Sequence, residues 1–167
     1  MLMLNHKVII MAKDWVYRSP LFGMVVRYVG YIFSEDGTEE NITNIKAKMN
    51  EGYSIMIFPE GSRSSDGNLN RFHKGAFYLA EKLNADIQPV MIHGAGDVSP
   101  KNEMMVKDGT INVKALSRIY ANDLTWGNDY RSRQKSITLY FKEQYKKFKD
   151  EREDADYLWR KIYYNYI

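Results

Sequence analysis

The chain of 167 residues contains no cysteine. That absence excludes a disulfide framework, a thiol nucleophile and any cysteine-ligated zinc or iron–sulfur centre, and no metal site is expected. Long apolar stretches are missing as well. The longest uninterrupted ones, Val8 to Ala12 and Ile55 to Phe58, fall far short of the roughly 20 residues that cross a bilayer, so no membrane span is expected. Met1 to Leu4 is apolar but has neither the basic flank nor the small-residue cleavage site of a signal peptide. An excess of one charge is lacking too: 24 Lys and Arg against 21 Asp and Glu leave +3, too little to define a surface for a polyanion. Lys142, Lys146, Lys147 and Lys149 are followed at once by Asp150, Glu151, Glu153, Asp154 and Asp156, a mixture that reads as a solvated helix and argues against nucleic acid.

What is present suits one folded domain. Hydrophobic residues at 44% against 27% charged provide enough apolar material for a core at this length without crosslinks. Lys7 to Ala12 is a β-branched apolar run that predicts a buried strand. Ser19-Pro20 predicts a helix start, and Leu21, Phe22, Val25, Val26 and Val29 form its apolar face up to Gly30. Tyr31 to Phe33 predicts a short strand. Ile42, Ile45 and Met49 predict a helix that Thr38 caps and Gly52 ends. Tyr53 to Phe58, apolar on both faces and closed by Pro59, predicts a strand at the centre of the sheet.

After a polar loop from Pro59 to Asn70, the residues Phe77, Ala80 and Leu83 predict another helix, and Ile87 to Ile92 another strand. Ile111, Val113 and Ala115 alternate like a half-exposed strand at the sheet's margin. From Tyr130 onward the pattern is helical, with Ile137, Phe141, Tyr145 and Phe148 on one stripe and Tyr157, Leu158 and Ile162 on another. The fold class expected is α/β, with a mostly parallel central sheet, helices on both faces and C-terminal helices. Residues 1–128 are expected to form the α/β domain, and residues 129–167 a helical extension that packs on it or leads to a neighbour. The apolar start and the aromatic ending from Trp159 to Ile167 suggest neighbours on both sides in a longer parent chain.

The chemistry concentrates in Phe58-Pro59-Glu60-Gly61-Ser62-Arg63-Ser64, where a strand hands over to a loop. Ligands of open α/β sheets bind at the carboxyl ends of strands. Arg63 offers a planar fork of donors for phosphate oxygens, Gly61 admits close backbone approach, and the hydroxyls of Ser62 and Ser64 add donors. Lys74 supplies a second positive charge just before Gly75 opens a helix whose N-terminal amides favour an anion, with His73 beside it. The same residues also read as a plain Pro-Glu-Gly turn with a surface ion pair between Arg63 and Glu60. A Gly-x-Ser-x-Gly nucleophile elbow is not formed by Gly61-Ser62-Arg63-Ser64, which argues against a serine hydrolase.

Phe58 to Ser64 resembles the Phe-Pro-Glu-Gly-(Thr/Ser)-Arg-Ser block of the lysophosphatidic acid and glycerol-3-phosphate acyltransferase family. Ser19-Pro20-Leu21-Phe22-Gly23, Arg71-Phe72-His73-Lys74-Gly75-Ala76 and the strand bearing Pro89-Val90 agree in order and spacing, so the resemblance covers most of residues 7–95. It implies that Glu60, Gly61 and Arg63, with Ser62 between them, bind the glycerol-phosphate part of an acyl acceptor, with Lys74 near the phosphate. It implies a thioester on coenzyme A or acyl carrier protein as donor, no bound cofactor, and a place on the cytoplasmic side peripheral to a membrane.

The family's catalytic Asn-His-x-x-x-x-Asp block, in which the histidine takes the acceptor hydroxyl's proton, has no counterpart. After Asn5-His6 the aspartate position holds Met11, and Asp14 comes too late; His6 also precedes the first strand, at the sheet edge opposite Glu60 and Arg63. His93-Gly94-Ala95-Gly96-Asp97 is one residue short of the spacing, and His93 reads as a hydrogen-bonded loop histidine that lines the pocket. Ser34-Glu35-Asp36 stands where the family carries an arginine. No catalytic residue is therefore assigned. The expectation is an O-acyltransferase domain fragment whose histidine block lies upstream; the alternative is a noncatalytic module that binds a phosphorylated lipid or a partner protein.

Overall fold

The computed structural model describes residues 7–12, 32–33, 39–62, 64, 66–100 and 107–165. The expected helix after Ser19-Pro20, the Asn5-His6 pair, the Ser34-Glu35-Asp36 segment and Arg63 lie outside the described residues. Strand β1 (Val8–Ala12) pairs in parallel with β2 (Ile32–Phe33) on one side and with β3 (Ser54–Met56) on the other. The register sets Val8 opposite Ser54, Ile10 opposite Met56 and Met11 opposite Ile32.

The centre of this three-stranded sheet is therefore β1, and β3 is an edge strand among the described residues, contrary to the expectation for Tyr53 to Phe58. An all-apolar run signals cover above and below a strand but not neighbours beside it. The strand is also shorter than expected, and Phe58 beyond it is 54% exposed.

Helix α1 (Glu39–Asn50) turns its Ile45 fully inward. It stops where Gly52 takes a left-handed φ of 86°, which lets Gly52 N–H reach the Met49 carbonyl and Tyr53 N–H the Lys48 carbonyl, a Schellman closure. Helix α2 (Gly75–Lys82) ends in the same way, with Asn84 at φ 48° in the left-handed position and Ala85 N–H on the Ala80 carbonyl.

Strand β4 (Val90–His93) runs antiparallel to β5 (Asn112–Ala115) in a separate two-stranded sheet. The continuous ladder starts at Val90, while at the expected start Ile87 exchanges both backbone hydrogen bonds with Ile119 in an isolated antiparallel bridge; Pro89 between them has no N–H to donate. Leu116 N–H still bonds the Pro89 carbonyl at 2.9 Å, and the Gln88 side-chain amide donates to the Leu116 carbonyl at 2.7 Å, filling the place of the missing proline donor. A short helix α3 (Ala95–Val98) follows β4.

Helix α4 (Tyr130–Asp150) opens on a reciprocal capping box between Asp129 and Ser132 and buries Ile137, Phe141, Tyr145 and Phe148, the stripe expected from the sequence. The main core joins these to Phe72 of the loop, Phe77 of α2, Met91 of β4 and Ile119. Arg133 is buried on α4, where its guanidinium donates to the carbonyls of Tyr120, Ala121 and Asp123 and fixes the approach to the helix. The acidic run after Lys149 is not one solvated helix: α4 stops at Asp150, and α5 (Ala155–Asn165) starts anew with Asp154 accepting from Tyr157 N–H. The α/β class holds, with a parallel sheet, helices and C-terminal helices. No helix among the described residues is long and apolar enough to cross a membrane.

Candidate functional site

The loop after β3 is built by backbone contacts. Gly61 sits at a left-handed φ of 65°, a conformation that glycine adopts without steric cost, and its N–H closes a turn on the Phe58 carbonyl at 3.0 Å. Two further bonds tie this turn to the segment before α2. His73 N–H donates to the Pro59 carbonyl at 2.8 Å, and Asn70 N–H donates to the Glu60 carboxylate at 2.7 Å. Partial burial raises the Glu60 pKa, and the Asn70 N–H opposes that shift. Glu60 thus acts on its own loop, holding the two arms of the site together.

Farther along, the Asp66 carboxylate accepts from both the backbone and the side chain of Asn68, and these bonds hold its pKa below the ordinary carboxylate range. Gly67, at φ 70°, presents its carbonyl to the Tyr145 hydroxyl at 3.0 Å. The Lys149 ammonium donates to the Asn68 side-chain oxygen at 2.9 Å. At the far end of the loop, the Gln134 side-chain amide donates to the Phe72 carbonyl at 3.1 Å.

The expected site residues fall into two groups. Glu60 and Ser62 line a broad cleft together with Phe72, His93, Asp97 and Tyr145. Gly61 belongs to the same turn. His73 and Lys74 are exposed and do not line that cleft, although His73 is tied to Pro59 through its backbone and Lys74 takes the N-cap position of α2.

His93 is not a loop residue. It ends β4, is only 3% exposed, and its Nε2 lies 3.1 Å from Glu153 Oε1. With the Nε2 proton directed at that carboxylate, a neutral ring keeps its lone pair on Nδ1, which is buried and has no hydrogen-bond partner among the described residues. The rings of Tyr145, Phe148 and Tyr157 surround it.

Beside His93, Asp97 accepts a hydrogen bond from the Tyr157 hydroxyl and forms an ion pair with Lys161 at 3.0 Å, which fastens α5 to α3. Burial works to raise the Asp97 pKa, but the Tyr157 and Lys161 contacts outweigh it and leave the group below its ordinary value. Burial and then the Asp97 bond push the Tyr157 phenol far above its usual range.

Sequence reasoning read Tyr145 only as part of an apolar stripe and Lys149 and Glu153 as charges of a solvated helix, and it passed over Gln134. The signal available was Gln134 beside a buried face, where an amide must find a partner. Nothing local pointed to Glu153, whose partner lies 60 residues away.

A family model described as Acyltransferase matches residues 1–93, more than half of the chain. Among curated relatives, the chloroplastic 1-acyl-sn-glycerol-3-phosphate acyltransferase BAT2 of Brassica napus is 28% identical over 116 residues, covering 66% of this chain and 34% of its own length. The 1-acyl-sn-glycerol-3-phosphate acyltransferase of Limnanthes alba is 33% identical over 119 residues, covering 68% of this chain and 42% of its own. The chain thus spans about a third of the length of the first of these. The crystal structure of the 1-acyl-sn-glycerophosphate acyltransferase of Thermotoga maritima superposes with a TM-score of 0.66 at 19% identity, covering 86% of this chain and 66% of that one, and the two share a fold. A loop of Phe-Pro-Glu-Gly-Ser-Arg-Ser sequence after a parallel strand, the family match over residues 1–93 and the shared α/β fold converge: the chain belongs to the Acyltransferase family.

Proposed function

We propose that this chain binds the phosphorylated acceptor in an O-acyltransferase reaction, in which an acyl group passes from a thioester to a glycerol-phosphate or lysophospholipid-like alcohol. The observation that carries this reading is the turn from Phe58 to Ser62, with Gly61 in a left-handed conformation and both arms cross-tied through Pro59 and Glu60. Such a turn holds the side chains it carries in a fixed arrangement, which lowers the ordering cost of gripping an anion. Arg63 and Lys74 supply the positive charge, with Ser62 as an added donor, and His93 lines the cleft that Glu60 and Ser62 share.

In the reaction the acceptor hydroxyl oxygen attacks the thioester carbonyl carbon, the C–S bond breaks, and the hydroxyl proton ends on the departing thiolate. Coenzyme A or acyl carrier protein is the carrier proposed. The proton needs a relay, and the His-x-x-x-x-Asp block that serves the family is not in the 167 residues. That absence favours a second reading, a noncatalytic module that binds a phosphorylated lipid or a partner.

Calorimetric titration with glycerol 3-phosphate and lysophosphatidic acid separates these ideas. Arg63→Ala should weaken binding of the phosphorylated acceptor about tenfold or more, the scale of a lost charge-assisted hydrogen bond. Equal affinity in the variant would reject the assignment. The 167-residue chain should bind without measurable acyl transfer, and rapid turnover would show that a general base lies within it.

A further inference from the structure

Among its described residues the loop from Pro59 to Lys74 contains no helix or strand, so from within it is held by turns and by the cross-ties at Pro59 and Glu60. One line of α4 supplies a series of its external contacts. Reading along that helix, Gln134 donates to the Phe72 carbonyl, Phe141 meets the Phe72 ring edge-on at a centroid distance of 5.2 Å, Tyr145 donates to the Gly67 carbonyl, and Lys149 donates to Asn68. Going up α4, the contacts therefore pass from Phe72 at the end of the loop to the Gly67–Asn68 turn nearer its middle. Tyr145 also lines the cleft beside Glu60, so the fastening reaches the site itself.

We propose that Tyr145, assisted by Gln134 and Lys149, is a positioning residue for the acceptor-binding loop, so that α4 works as a splint which preorganises the Glu60–Ser62 turn. This rests on the acceptor-binding reading given above for its consequence in binding, but not for its structural half. Tyr145 suits the task because its phenol is rigid, buried along the ring and polar only at the tip. Burial and then the nearby Glu60 carboxylate raise its pKa, so the hydroxyl keeps the proton that it donates.

Hydrogen exchange read by mass spectrometry on the full 167-residue chain tests the splint, because the amides of Gly61, Asn68, Asn70 and His73 are each hydrogen-bonded within the loop. Tyr145→Phe removes one hydroxyl and leaves the ring in the core. It should speed exchange of those amides roughly fivefold, the size expected for one net hydrogen bond. Lys149→Met should add to the effect. Lys147→Met, which breaks only the exposed pair with Glu143, should leave the loop as in the wild type.

Unchanged loop exchange in Tyr145→Phe overturns the proposal, as does an increase spread equally over α2, β4 and α4. Glycerol 3-phosphate and lysophosphatidic acid are then titrated against the same variants. Weaker binding by Tyr145→Phe supports the splint, and undiminished binding despite a loosened loop overturns it as a positioning device. A loosened loop in a protein whose wild type binds neither probe keeps the splint and rejects the acceptor instead.

Discussion

The two sheets differ in how they are held. The parallel sheet of β1, β2 and β3 delivers the loop, yet among the described residues the buried hydrophobic ones on it and α1 are Ile9 and Ile45. Strand β4 of the antiparallel pair joins the larger core, where Met91 belongs to one cluster with Phe72, Ile137, Phe141 and Phe148. The loop springs from the first region and is anchored in the second: Phe72 is part of that core, and the polar ties come from α4. Delivery and rigidity thus belong to different parts of the molecule, and a change remote in sequence from Glu60 can alter the site.

Breaking the second region should have the largest effect. Phe148 is 1% exposed, and Phe148→Ala should cost about 3–5 kcal/mol in urea unfolding, the range for large aromatic truncations in cores. A loss below about 1 kcal/mol would mean that α4 is not the clamp described. Gln88→Ala tests the β4 side more gently. It removes the donor that replaces the Pro89 N–H and should cost about 1 kcal/mol in the same assay, with no cost at all contradicting that role.

The smallest effect belongs to the first region. Burial raises the Glu60 pKa above its unfolded value, so the folded state holds that proton more tightly. Its stabilising contribution is complete below the unfolded pKa and is lost as pH rises through the folded one. Glu60→Gln keeps an acceptor for Asn70 N–H but carries no charge. Relative to wild type it should gain stability between acidic and neutral pH in denaturant titrations, and a gap that moves the other way would show that the carboxylate is stabilised where it sits. The same variant leaves α4 untouched, which separates turn from splint.

Much was legible from local pattern because its causes are local. The stripe Ile137, Phe141, Tyr145 and Phe148 follows from helical periodicity, and the turn at Gly61 from a proline-terminated strand followed by glycine. The misreadings share one physical origin. The apolar run before Pro59 told of a strand but not of its lateral place, which depends on a pairing with Val8 far away in sequence. His93 looked like a loop residue because the ladder with β5 that extends β4 to it, and the Glu153 that meets it, lie distant along the chain.

By itself, then, the sequence determined the buried stripe of α4, the turn at Gly61 and the family, since each depends on residue type at short spacing. Only the tertiary structure decided that Tyr145, Gln134 and Lys149 grip the loop and that His93 is buried against Glu153. A hydrogen bond needs two groups within about 3 Å, and which partner a buried donor meets is set by how distant elements pack, not by the residues on either side of it.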